Sequence, residues 1–280
     1  MTRVLGGLAV PTTTFDESER LVWAGRGPAY AGSFAKLCAY PVPWLLDAAG
    51  VGPGVRVLDV GTGSGTAAAA ACARGATVTA VDAERTMVEL ARRAAPEADV
   101  RLAALPDLPF ADAEFDAVVA NFVLNHVGRP KDTLAELRRV VRPGGWIALT
   151  IWAAPPAAGQ RLIGRAIQAA GAVRPPHLPA GLAAEDDFHR DESGLTGLLE
   201  AGHLREAECG TLRWDHRASP EEWWSGPAGG VAFGGQLVRS QTPHVQAEIK
   251  RHFDALSIEF ASEDGLLSLP HAALLARARH

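Results

Sequence analysis

Residues 56–65 run Arg-Val-Leu-Asp-Val-Gly-Thr-Gly-Ser-Gly, which sets Gly61, Gly63 and Gly65 at a G-x-G-x-G spacing behind an acid, Asp59. Glycines in such a turn let a ligand approach bare backbone at the start of a helix. A dinucleotide site needs G-x-G-x-x-G, whose third glycine packs helix on strand around a pyrophosphate. Here the spacing is one residue short, and that packing role falls to Ala67 or Ala68. Asp59 would repel a pyrophosphate but hold a cationic amine, directly or through water. Asp82 closes the apolar run Ala76–Val81. A carboxylate there accepts hydrogen bonds from both hydroxyls of a ribose, or caps the helix that follows, and both roles can hold at once. These features together fit a ligand with an adenosine and an amino-acid end and no phosphate. His126, just past a later apolar run, is the best-placed general base, with His216 and His189 weaker candidates. Its alternative role is to cap a loop or line the pocket without proton transfer. No acid cluster of metal-ligand type is evident, so no metal is expected.

The elements that must position these residues alternate. Val55–Val60 reads as a buried strand and the alanine-rich Thr66–Ala73 as a helix. A second strand, Ala76–Val81, leads to a helix over Glu84–Ala95, and Phe115–Asn121 reads as a fourth strand. Lys131–Val141 is a helix with Leu134, Leu137, Val140 and Val141 on one face. Arg142-Pro-Gly-Gly145 stops it, and Trp146–Ile151 is a fifth strand.

The 56–65 segment resembles motif I of the class I S-adenosylmethionine (SAM) methyltransferases, V-L-D-x-G-x-G-x-G. Asp82-Ala-Glu-Arg-Thr-Met87 is similar to that family's D-x-S-x-x-M segment. The run from Leu105 to Val127 resembles the LPF…FD-x-V…L-x-H-V block of the small-molecule branch, which includes ubiquinone-type methyltransferases. The stretch from Leu134 to Gly145 matches L-x-x-x-x-R-V-x-R-P-G-G. The resemblance covers about residues 30–152, with four motifs in order. It implies binding of SAM and of its product S-adenosylhomocysteine through Asp59, Gly61, Thr62, Gly63, Gly65 and Asp82. Ala83 and Met87 would contact the adenine, and Asn121 and Phe122 would lie beside the methionine part. The branch usually has an acid at the position of Ala104, beside Leu105. Here the adenine is held by backbone and apolar contact, or the acid comes from elsewhere, such as Asp107.

Outside the core, residues 21–50 carry Trp23, Tyr30, Phe34, Tyr40 and Trp44. In relatives, N-terminal helices cover the pocket and an aromatic there shields the sulfonium. Tyr30 takes that role here, or packs between helix and sheet. Gln160–Ala170 and Gly194–Leu204 read as helices, Val173–Pro179 as a loop, and Arg205–Arg217 as a sixth strand. Ser219-Pro-Glu-Glu222 starts a helix that leads into Trp223-Trp224 and then a hinge-like Gly226-Pro-Ala-Gly-Gly230. Pro243–Ala261 is a further helix, and Gly265–Ala276 a final strand hairpinned with the sixth. The resemblance makes that last strand antiparallel.

The expectation is one α/β domain, a Rossmann-like doubly wound seven-stranded sheet. Its core covers about 50–152, 194–217 and 265–280; segments 1–49, 153–192 and 219–262 form a helical cap with Trp223 and Trp224 in the acceptor pocket. The function expected is methyl transfer from SAM to a small, mainly apolar metabolite, of secondary-metabolite or quinone type. A cyclase or other non-methylating enzyme on the same fold, and a silent partner subunit, are the alternatives. With 27 basic and 32 acidic residues the net charge is −5, and no basic block stands out, which argues against a nucleic-acid partner. The N/D-P-P-Y run of base-methylating enzymes is replaced by Asn-Phe-Val-Leu at 121–124. The 3 cysteines, Cys38, Cys72 and Cys209, are scattered, which suits a reducing cytoplasm. Met1–Arg20 lacks the pattern of a signal peptide, and no run reaches membrane-spanning length. A homodimer is possible on this reading.

Overall fold

A computed structural model describes residues 12–176, 178 and 181–280. The start of the segment read as lacking a signal peptide, which also opens the first cap segment, lies outside the described residues. So do parts of the 173–179 loop.

Apolar runs buried on both faces make strands that only a covered parallel sheet can hold. β1 (Arg56–Val60), β2 (Thr77–Asp82), β3 (Asp99–Leu102), β4 (Phe115–Asn121) and β5 (Val141–Trp152) pair in parallel. β6 (Arg205–Ala218) and β7 (Leu267–Arg279) pair antiparallel, though three α-helices separate them in the chain in place of the expected hairpin, and β7 joins β5 in antiparallel register. The 7-stranded sheet has the order β3-β2-β1-β4-β5-β7-β6. The order reverses between β1 and β4, so a crevice opens there at the carboxyl ends of the strands. Asp59 lies level with Ala80 of β2 and Val119 of β4, which puts Gly61 and Asp82 at the rim of that crevice.

One face of the sheet is covered by α4 (Val42–Ala48), α5 (Thr66–Ala73) and α6 (Arg85–Ala94) through Leu45, Leu46, Ala68 and Ala91. The other is covered by α7 (Pro130–Val140) and α9 (Glu192–Ala201) through Leu134, Leu137, Leu195 and Leu199. A third cluster lies over the β5–β7 side. It joins α8 (Ala158–Ala169), α10 (Pro220–Ala228), α11 (Ala232–Arg239) and α12 (Pro243–Ser257). The N-terminal cover is α1 (Thr14–Trp23), α2 (Gly27–Ala31) and α3 (Ala35–Ala39).

Several boundaries differ from expectation, each for a local reason. Arg142–Gly145 does not simply end α7; it bulges from β5 opposite the single residue Asp116. Arg142 and Arg56 both pair with the Asp116 carboxylate, which holds that group well below its ordinary range. Gly226 and Pro227 sit inside α10 and are buried, so they do not act as a hinge. A Cβ on Gly226 would come within 2.6 Å of the Phe34 ring, so this glycine is a packing position. Helix α11 was not anticipated, because two glycines in eight residues lower helix propensity. One of them, Gly235, packs on the Gly230 backbone, where a Cβ would come within 2.6 Å. Helix α12 stops at Ser257, and a 3₁₀ turn, Ile258–Phe260, replaces its expected last turn.

Phe253 of α12 is fully buried and tilts against Trp224, with ring centroids 5.2 Å apart. Phe253→Ala should cost about 3–5 kcal/mol. Urea unfolding would show it as a lower midpoint at unchanged slope; an unchanged midpoint would mean that α12 contributes no core.

Candidate functional site

The three loop glycines all have positive φ, +65° at Gly61, +56° at Gly63 and +88° at Gly65, a region that penalises any side chain. Each is also close to something. A Cβ at Gly61 would meet Val123 at 2.5 Å, and at Gly63 the Tyr30 ring at 3.5 Å. At Gly65 it would meet the Cα of Ala91 at 2.7 Å. Ala67 and Ala68 are buried in the cluster that packs α5 on the sheet, as expected, and Gly65 adds a second close approach, of the start of α5 to α6.

Asp59 is buried beneath this loop. Its Oδ2 accepts from the Thr62 hydroxyl at 2.7 Å, and its Oδ1 has no hydrogen-bond partner among the described residues. Burial pushes its carboxyl up to about 7; the Thr62 bond opposes this, nearby Asp82 adds to it, and the Ala68 amide opposes it weakly at a geometry short of a hydrogen bond. Asp82 accepts from the Gly63 amide and the Glu84 amide, both at 2.9 Å. Burial raises its pKa as well, and those two amides oppose the rise. The helix cap expected of Asp82 belongs to Glu84, whose side chain accepts from the Met87 amide. Two desolvated carboxylates and an unfilled oxygen make this corner a place for a cation and for hydroxyl donors.

The N-terminal cover is pinned at three points. Asn121 donates to the Cys38 carbonyl at 2.8 Å and accepts from the Thr150 hydroxyl at 2.7 Å, so its amide fastens α3 to the sheet. Glu84 and Thr86 accept from the amides of Gly25 and Gly27. Asp16, within the Thr13–Asp16 capping box of α1, accepts from the Gly128 amide at 2.7 Å. Next to it, His126 Nδ1 lies 2.7 Å from Glu19 Oε2, with Trp23 edge-on at 5.2 Å. Glu19 is an orienting group for His126 that sequence proximity does not reveal, because it stands 107 residues away. Tyr30 lies over Gly63 beside the Cys38 thiol, and burial raises the pKa of both.

These elements enclose a cavity of about 580 Å³. Tyr30, Gly61, Gly63, Asp82, Ala83, Met87, Ala104, Leu105, Asn121, Phe122, His126 and Trp223 all line it. Asp59, Thr62 and Gly65 stand behind the loop, and Asp107 is not in the wall. Trp224 does not line it either; it packs on Phe253 and faces Lys250. His216 is buried behind Trp223, and His189 is exposed outside the cavity. Sequence reading missed Glu19, Phe34, Trp152 and His271, which also line it. Trp152, at the end of an apolar strand, and Phe34, among the aromatic residues of the N-terminal cover, had a local signal; Glu19 and His271 had none. Phe122 has φ +60°, rare for an aromatic residue, and stacks on Trp152 at 4.0 Å.

The model of a methyltransferase domain matches residues 58–149, which hold the glycine loop, Asp82 and His126. An uncharacterized protein of Mycobacterium tuberculosis is 33% identical over 220 residues, 76% of this chain and 74% of its own length. The chain belongs to the class I SAM-dependent methyltransferase family. A demethylmenaquinone methyltransferase of Renibacterium salmoninarum is 40% identical over 111 residues, 40% of this chain; the match spans only 47% of that enzyme. Among solved structures, the [4+2]-cyclase SpnF superposes with a TM-score of 0.55 at 20% identity, over 98% of this chain and 99% of its own, which shows a shared fold. Family and fold imply SAM binding. No helix among the described residues is long and apolar enough to cross a membrane.

Asp59 supplies a test of the site's electrostatics. Its folded pKa, about 7, lies above the unfolded value of about 3.9. Its contribution to stability is therefore full below about pH 4 and is lost as pH rises through about 7. Asp59→Asn should gain stability over the wild type between those limits, by a few kcal/mol in order of magnitude. Denaturation of both proteins at several pH values would check this; a difference that does not change with pH would place Asp59 in contact with water or a cation.

Proposed function

We propose that the chain transfers the methyl group of SAM to a small, mainly apolar acceptor. The observation that carries this reading is a single cavity with two chemically different ends. Gly61, Gly63, Asp82 and Met87 form one end, and Phe34, Phe122, Trp152, Ile163 and Trp223 form the other. Donor and acceptor sharing one enclosure is what in-line displacement at a methyl carbon needs.

In this reading Asp82 accepts from the ribose hydroxyls, while Ala83, Met87 and Leu105 hold the adenine through backbone and apolar contact. Asp59 acts on the amino-acid end from beneath the loop, by its charge or through Thr62. Tyr30 covers the sulfonium. A sulfonium is already activated, so alignment and exclusion of water do most of the work. His126, oriented by Glu19, is at most an assisting base. The secondary-metabolite or quinone-like character of the acceptor rests on the aromatic wall and on the name of the demethylmenaquinone relative. The shared fold of a cyclase leaves the reaction to be decided by the site, since fold does not determine chemistry. Release of S-adenosylhomocysteine with the acceptor separates methyl transfer from cyclisation. The intact glycine loop argues against a silent subunit.

Calorimetry should show binding of SAM and S-adenosylhomocysteine in preference to NAD, and binding of NAD alone would end this reading. Asp82→Ala should weaken SAM binding by roughly 1.5–3 kcal/mol per ribose bond, not strictly additive. An unchanged affinity would leave Asp82 as a brace between the loop and α6. His126→Ala should slow turnover only about tenfold if alignment dominates, against 10²–10⁴-fold for an essential base.

A further inference from the structure

A second polar pair lies at the aromatic end of the cavity and takes no part in the cofactor contacts above. His271, within β7, lines the cavity although it is only 3% exposed. Its Nδ1 lies 2.7 Å from the Leu269 carbonyl oxygen. A carbonyl only accepts, so Nδ1 carries the proton and Nε2 keeps its lone pair. Nε2 makes no hydrogen bond among the described residues. Trp223 of α10 stands edge-on to the His271 ring, with centroids 5.4 Å apart at 78°. Its Nε1–H is buried and has no acceptor among the described residues. A buried donor left without an acceptor is costly until a third group accepts from it, and the neighbouring imidazole Nε2 is free to accept from that same group.

The chemistry of that third group is restricted. A carbonyl or ether accepts from the indole but offers nothing to Nε2, and an ammonium does the reverse. A hydroxyl does both. The walls restrict its carrier: Phe122 stacks on Trp152 at 4.0 Å, and Phe34 tilts on Trp223 at 5.0 Å, which leaves flat π-faces suited to a planar ring.

Resting on the methyltransferase reading, we propose that this end of the cavity takes a planar ring bearing a hydroxyl, and that His271 receives the hydroxyl proton as the oxygen is methylated. A lone pair of the acceptor oxygen forms the O–CH₃ bond while the S–CH₃ bond breaks, and that bonding pair stays on sulfur. The proton passes from oxygen to His271 Nε2. The products are a methyl ether, S-adenosylhomocysteine and an imidazolium that returns its proton to water at the cavity mouth. An oxygen gaining a methyl group becomes strongly acidic, so even a weak base takes its proton. Burial holds His271 down at about 4, with the Leu269 carbonyl opposing and His216 of β6 adding to the shift. His216 is itself lowered by burial; Glu222 of α10 raises it and Lys36 of α3 lowers it. His271 is therefore neutral above about pH 5, and the rate should show no acidic limb from it at higher pH.

The test uses the full chain and the probes 2-naphthol and naphthalene, which differ only in the hydroxyl. Calorimetry with S-adenosylhomocysteine comes first; no binding would overturn the methyltransferase reading and this proposal with it. With S-adenosylhomocysteine bound, 2-naphthol should quench tryptophan fluorescence and bind about tenfold or more tighter than naphthalene, the preference one good hydrogen bond allows. With SAM, 2-naphthol should yield its methyl ether. His271→Gln keeps an acceptor near Nε2 but cannot take the proton; it should bind 2-naphthol almost unchanged and turn over roughly 10²-fold more slowly. Trp223→Phe keeps the ring and removes the donor, so it should raise KM with kcat little changed. Equal binding of the two probes to the wild type overturns the proposal without any variant. So does wild-type kcat in His271→Gln, or an acidic limb near neutral pH that this substitution abolishes. Melting temperatures of both variants within a few degrees of the wild type would exclude misfolding as the cause of any loss.

Discussion

The carboxylate of Asp82 ties the parts of this molecule together. It accepts from the Gly63 amide on one side and the Glu84 amide on the other, both at 2.9 Å, so one side chain joins the glycine loop to the start of α6. Glu84 then caps α6 and accepts from the Gly25 amide, and Thr86 accepts from Gly27. A continuous run of bonds thus leads from the loop to the cover above it. Asp82 is half-buried and desolvation disfavours its charged form, a rise in pKa that those two amides oppose.

The cover is held by polar bonds and not only by packing. Asp16 accepts from Gly128, Glu19 meets His126, and Asn121 reaches the Cys38 carbonyl. All three partners lie at or just beyond the end of β4 or on α3, around the mouth of the switch-point crevice. The motif that looks most like sequence decoration is also structural. Arg139 donates to the carbonyls of Leu108 and Phe110 and pairs with Glu136 and Asp112, which holds the 108–112 loop against α7. That loop carries Leu108 into the cavity wall.

The aromatic end is assembled differently. Phe34 comes from the N-terminal cover, Trp152 from β5, Trp223 from α10 and His271 from β7. No two of them are near neighbours in the chain. Their mutual contacts, Phe34–Trp223 at 5.0 Å and Trp152–His271 at 6.0 Å, depend on the β5–β7 pairing and on α10 settling over Phe34. Gly226 makes that settling possible, because any side chain there would strike the Phe34 ring.

The family resemblance implied the seven-stranded plan and the cofactor class; the residues by themselves determined six of the strands, the glycine loop and the acid closing β2. Each of the latter is a local pattern: a strand period, a turn residue, an acid at a strand end. Such features are legible because the physics that produces them acts within about thirty residues. The tertiary structure decided the rest. It added Gly65 as the point where α5 meets α6, set Gly226-Pro227 within buried helix, and laid Trp224 of α10 against Phe253 of α12. It also brought Glu19 to His126 across 107 residues and set His271 beside Trp223. None of these could be read from spacing, since each depends on which side chains two distant segments present when they pack, and packing geometry is set only once the sheet and its covers have assembled.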